Sequence, residues 1–256
     1  MNAIRCTRSG LRWLGMGMGL AAASYATYVA VTWYRYGAAQ PVQSEGEDLL
    51  LDRFIPTYEA VERHGVRVAA SAETTFSAAC QMNLQRSMLI RAIFKIRELI
   101  LGGEPEEVTR STGLVAQAKA WGWGILAEDA GREIIFGAAT QPWLANPVFR
   151  ALPPGEFEAF GEPGFVKIAW TLRADPIDAT KSVFRTETRV STTDLTSRAK
   201  FRWYWAFFSP GIRLIRWISL GPLKAEAECR ARSLEYFTPT TVNEPQAIAS
   251  GPNCHL

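Results

Sequence analysis

A chain of 256 residues has room for one sizeable domain plus extras. A domain of roughly 180 residues buries about 70% of its extended-chain surface without help from disulfides or metals. Apolar residues make up 48% of the chain and charged residues 21%, which excludes a disordered protein. The formal charge is +3, but Arg5, Arg8, Arg12 and Arg35 all precede the first acidic residue, Glu45. Everything downstream carries 24 basic against 25 acidic residues, a net of −1. A nucleic-acid-binding domain carries its positive surplus on the folded part, so that class is set aside.

A basic segment, residues 1–12, opens the chain, and from Trp13 to Tyr34 there follow 22 uncharged residues. At about 1.5 Å per residue such a helix crosses a hydrocarbon core of roughly 30 Å. Trp13 stands at one end, and Trp33, Tyr34 and Tyr36 stand at the other, as aromatic residues do at headgroup level. The expectation is a transmembrane helix over 13–36 that anchors the protein in a lipid bilayer. The rival is a signal peptide cleaved near Gly37-Ala38-Ala39, against which stand the length of the run and its interruption by Ser24, Tyr25, Thr27 and Tyr28. Gly15 and Gly19, at four-residue spacing, suggest a face for a homodimer. Three arginines before the span and one after it put the N-terminus in the cytoplasm and the domain outside it.

Residues 37–56 read as a linker, small and polar at first, then acidic. The segment 238–256, with three prolines and no apolar period, reads as a disordered tail. The domain between them, 57–237, begins with a strand over Val61–Ala70, in which His64, Val66, Val68 and Ala70 share a face. Ser71 is an N-cap for a helix through Cys80. A second helix, Met88–Leu101, puts Leu89, Ile93, Ile96 and Ile100 on one stripe and stops at Gly102-Gly103. A weaker helix covers Leu114–Ala120. Trp123–Asp129 and Arg132–Thr140 form a hairpin around Ala130-Gly131. After four prolines and a short helix near Glu156–Phe160 come alternating strands over Phe165–Arg173 and Lys181–Val190. Asp194 caps a helix through Phe208. Ser209-Pro210 restarts it toward Arg232, with a kink at Gly221-Pro222. Phe201, Trp203, Tyr204, Trp205, Phe207 and Phe208 cover most of that helix's circumference, so a sheet curled around it is expected.

Cys6, Cys80, Cys229 and Cys254 show no metal spacing, and Cys80 reads as a buried free thiol. No dinucleotide, Walker, HExxH or GxSxG motif is present, so neither a metal nor a cofactor is expected. The strand VERHGVRVAASAETTFSAA and the run TETRV leading into FRWYWAFFSPGIRLIRW resemble the START-like helix-grip superfamily over residues 58–235. That group, also called SRPBCC, includes polyketide cyclases, plant hydrophobic-ligand carriers and lipid-transfer domains. The resemblance implies an α+β fold in which an antiparallel sheet holds a long C-terminal helix. It also implies more strands than the five placed here, with one or two either hidden in 141–165 or assigned wrongly.

In such a fold an apolar small molecule or lipid enters between the sheet and the long helix. Ile134, Phe136, Ile168, Trp170, Phe184, Thr186, Tyr204 and Phe208 are expected to face inward, either lining a cavity or packed solidly as core. No catalytic residue is assigned. His64, on the apolar face of the first strand, is a candidate general base. Glu187, flanked by Arg185 and Arg189, is either a carboxylate held between cations in a pocket or part of a solvated charge ladder on the outer face. Three functions follow: a membrane-anchored binding module for an apolar molecule, a cyclase- or isomerase-like enzyme using the same cavity, or a non-catalytic envelope assembly protein.

Overall fold

Short-range chemistry sets most element boundaries. In the computed structural model, which describes residues 3–35, 40–41, 48–83, 87–102 and 113–237, the chain begins with α1 (Ala3–Arg35) and β1 (Gln40–Pro41). Asp48 then caps α2 (Leu49–Phe54) by accepting a hydrogen bond from the Leu51 amide at 3.0 Å. After β2 (Thr57–Tyr58) and β3 (Ala60–Val68), Ser71 caps α3 (Ala72–Gln81) through the Thr74 amide. Helix α4 (Met88–Leu101) gives way to Gly102 at φ +72°. Then come α5 (Leu114–Ala120), β4 (Gly124–Asp129), β5 (Glu133–Thr140) and α6 (Pro154–Ala159). The chain closes with β6 (Val166–Asp178), β7 (Lys181–Thr192) and α7 (Leu195–Phe237), the last capped by Asp194, which accepts from the amides of Thr196 and Ser197.

The main sheet is antiparallel throughout, in the order β3-β7-β6-β5-β4, with β1 and β2 paired apart from it. Its register sets Phe136 opposite Trp170, Trp170 opposite Thr188 and Val66 opposite Phe184. With a side-chain period of two, these residues share one face. That face packs under α3, α5 and the C-terminal half of α7, in a core that includes Val68, Phe76, Leu172, Leu223 and Ala227. The opposite face is covered by α2 and α6, with Leu51, Phe54, Ile55 and Phe157 packed on Ile135 and Ala169.

Several expectations need correction. Within the linker expected over 37–56, residues 48–56 are folded, because Leu51, Phe54 and Ile55 have the sheet's outer face to bury against. Residues 141–165 hold α6 and one isolated bridge, Ala139–Arg150, but no extra strand; the sheet is enlarged instead by β6 and β7, of 13 and 12 residues. Helix α7 runs unbroken through Pro210 and Pro222. Each proline removes one helical hydrogen bond. At Pro210 the axis is held on both sides by α1, whose Tyr25 donates to the Phe207 carbonyl and whose Tyr28 bonds Ser209 and Arg213. The aromatic run of α7 is gripped on one side only: Phe201 and Trp205 are buried, while Trp203 and Phe207 are exposed.

The bilayer anchor at 13–36 is not met by the structure. That segment is helical, but no helix among the described residues is long and apolar enough to cross a membrane. Ser24, Tyr25, Thr27, Tyr28 and Thr32 dilute its apolar run, and Tyr25, Tyr28 and the buried Thr32 are spent against the protein. Trp33, expected at a headgroup layer, packs on Trp203 with ring centroids 5.8 Å apart and lies under the guanidinium of Arg202. Gly19 opens onto empty space, and the tail 238–256 lies outside the described residues.

Candidate ligand site between the sheet and the long helix

The two ends of the grip are closed. At one end Phe201 and Trp205 of α7 are buried against Ala60, Val166 and Val190. At the other, Leu223 and Ala227 are buried against the core around Phe76 and Leu172. Between them the walls change character. On the sheet His64, Val66, Ile168 and Thr188 are only half-buried; on α7 so are Ile212, Arg216, Ser219 and Leu220. Between the packed ends, half-buried residues of the sheet and of α7 therefore stand on facing walls.

The sequence-expected residues divide accordingly. Ile134, Phe136, Trp170 and Phe184 are buried in the core at the closed C-terminal end of α7. Phe136 stacks on Trp170 at 4.4 Å, and Trp123 meets Trp170 edge-on at 5.8 Å. Ile168 and Tyr204 pack against the other end, and Phe208 stacks on Tyr204 at 5.0 Å while staying half-buried. Thr186 is buried beneath Arg216.

The middle is lined by polar groups from strands and helix far apart in sequence. Arg216 donates to Thr186 Oγ1 at 3.0 Å and Thr188 Oγ1 at 2.8 Å, with its guanidinium 5.2 Å from the Trp170 ring centroid. Crowding by protein pulls Arg216 down to about 10, against the pull of Glu62, yet its side chain still reaches solvent. Three residues along the helix, Arg213 donates to Glu62 Oε1 at 2.6 Å and to the Tyr28 hydroxyl at 3.2 Å.

His64, opposite Thr186 in the register, lies 3.8 Å from Glu62. Burial lowers its pKa below the usual imidazole range; Glu62 opposes this, and Arg216 and Arg213 add to it, so the ring is neutral at neutral pH. Its Nε2 is buried without a hydrogen-bond partner among the described residues.

Glu187 is nowhere near this stretch. It sits on the sheet's other face, as the alternation of β7 implies, but the solvated ladder is corrected. Glu187 accepts from Arg63 at 2.9 and 3.1 Å and from Arg189 at 2.7 Å, all beneath α2. Arg189, 1% exposed, also donates to Asp52 and to the Ile55 carbonyl. Of Arg185, Glu187 and Arg189, Arg185 alone is exposed, paired with Asp175 at 3.3 Å. The carboxylate between cations exists, as a clamp that fastens α2 to the sheet.

Glu62, Arg213 and Arg216 carry the polar site and were not singled out from the sequence as site residues. Their signal was there: two arginines three apart interrupting the most aromatic helix, on the side that meets the sheet. Cys80 is a free, half-buried thiol, pushed up to about 11 by burial. Among the described residues no cluster of His, Cys, Asp and Glu has the form of a metal site.

No family model matches the chain, and no curated protein is similar to it. Solved structures similar to it include Zhui aromatase/cyclase from Streptomyces sp. R1128, at 15% identity over 68% of this chain and 97% of that one, TM-score 0.23. A START superfamily protein from Mycobacterium smegmatis is similar at 12% identity over 68% of this chain and 98% of that one, TM-score 0.23. Norcoclaurine synthase from Thalictrum flavum, in complex with dopamine and hydroxybenzaldehyde, is similar at 12% identity over 78% and 99%, TM-score 0.21. Values this low add nothing to what strand order and helix placement already establish. An antiparallel sheet holding a long C-terminal helix on one face gives the chain a helix-grip architecture.

Proposed function

We propose that this protein binds a small, mainly apolar molecule or lipid in the half-open stretch between the sheet and α7. The observation that carries the reading is that both walls between the buried ends stay half-buried, at Val66 and Ile168 on the sheet and at Ile212 and Leu220 on α7. A helix gripped only for structure gains most by closing such a gap, since close packing is the norm of protein interiors. The test is titration of the full-length chain with the neutral fluorescent probe N-phenyl-1-naphthylamine. Saturable one-to-one binding, abolished by Ile168→Trp, supports the reading; absence of saturable binding overturns it.

A second reading concerns where the domain works, and exposed apolar residues favour it. Trp13, Met16, Met18 and Leu20 of α1, Leu99 and Ile100 of α4, and Leu214 and Trp217 of α7 are all exposed. Arg5, Arg8 and Arg12 precede the first group in sequence. The reading is that these helices rest on an anionic lipid surface, with aromatic and aliphatic side chains at headgroup depth. Flotation with anionic, but not zwitterionic, vesicles is the expected result, and failure to float with either removes it.

A further inference from the structure

We propose that the molecule received beside α7 is an amphiphile with an anionic oxygen head, a carboxylate or a phosphate, seated on Arg216 with its apolar body along Ile168 and Ile212. This deepens the proposed function and rests on it. A guanidinium carries five N–H donors in a rigid fork. Two bonds of Arg216 are spent on the neutral hydroxyls of Thr186 and Thr188, and no carboxylate among the described residues is hydrogen-bonded to it. The carboxylate on that face, Glu62, bonds Arg213 instead.

A cation crowded by protein without a bonded anion is costly. Here two threonines nonetheless hold it in a fixed orientation. Because both hydroxyls accept from Arg216, their own O–H groups remain to donate to another acceptor. The orphaned Nε2 of His64, on the same face and one strand over, is a further polar group awaiting a partner. With His64 neutral, Arg213 and Arg216 against Glu62 leave one positive charge in excess around the middle of the grip. A planar guanidinium selects carboxylate or phosphate oxygens over neutral or cationic heads. Ile212, one turn before Arg216 on α7, and Ile168 on the sheet, both half-buried, supply the apolar surface the rest of such a molecule needs.

The test is displacement of N-phenyl-1-naphthylamine from the full-length chain by dodecanoate, dodecyl phosphate, methyl dodecanoate and dodecylamine. The anions are expected to displace the probe at concentrations at least tenfold below those of the ester and the amine. The stronger of the two anions tells a free acid from a phosphomonoester. Arg216→Leu should bring the anions to the ester's level while leaving the ester unchanged, which also reports an intact fold. Should that variant not fold, the joint variant Thr186→Val and Thr188→Val, which unseats the guanidinium but keeps its charge, should shrink the preference for anions. Equal displacement by anions and ester overturns the head-group assignment and leaves the site standing. A chain that binds neither probe nor amphiphile overturns both.

Discussion

Replacing Arg189 by methionine removes the centre of the clamp that holds α2 on the sheet. Its guanidinium donates to Glu187 at 2.7 Å, Asp52 at 2.5 Å and the Ile55 carbonyl at 3.0 Å, and stands 5.2 Å from the Tyr58 ring centroid. Breaking a buried ion pair from one side costs about 3–5 kcal/mol, because the remaining charge is left without its partner. Two features pull the expectation to the lower end. Glu187 keeps both bonds from Arg63, and the Asp52 side chain, 22% exposed, can turn to water. The expected loss is therefore about 3 kcal/mol, which for a domain of this size lowers Tm by roughly 6–12 °C. Urea denaturation should show a lower midpoint at unchanged slope. Adding Asp52→Asn should recover part of the loss, since the carboxylate left without its arginine goes with it. A loss below about 1 kcal/mol would refute the clamp and return these residues to the status of an ordinary surface ladder.

Other outcomes follow from the same coordinates. Burial and the neighbouring Asp48 raise Glu133 to about 8, so the folded chain keeps a proton that the unfolded chain releases near its ordinary value of 4.5. The folded state then binds more protons than the unfolded one, and this group's contribution to stability falls as pH rises between those values. Glu133→Gln should gain on wild type through that window in urea midpoints taken at pH 5, 7 and 9; parallel profiles would contradict it. Gly122 has φ +90°, and an added Cβ would lie 2.3 Å from the Phe149 carbonyl oxygen. Gly122→Ala should cost at least ~1–2 kcal/mol from the left-handed backbone alone, read as a lower thermal midpoint; an unchanged midpoint would show that the loop shifts freely. Trp217→Ser and Leu99→Ser should leave stability within ~0.5 kcal/mol, as both are exposed, while weakening vesicle flotation.

What was legible in the sequence was what neighbours in the chain decide. Ser71 and Asp194 announce helix starts because capping spans three residues, and the alternation of Phe184, Thr186 and Thr188 names the inner face because the pleat has a period of two. Helix α2 was missed since LLLDRF is too short to show a period; its three buried residues make sense only against Ile135 and Ala169. The aromatic run of α7 implies burial on most sides by a curled sheet, yet it is α1 that supplies a partner for Trp203, which no local pattern reveals. The same holds for the polar site. Glu62 and Arg213 are 151 positions apart and meet only once β3 lies beneath the long helix.

The most direct test of the central claim is native mass spectrometry of the full-length chain from gentle detergent, followed by solvent extraction and identification of whatever is released. The account predicts a stoichiometric apolar compound with an anionic head, displaced by dodecanoate and absent from Ile168→Trp. A bare protein mass that persists after incubation with a panel of lipids and aromatic acids would contradict it.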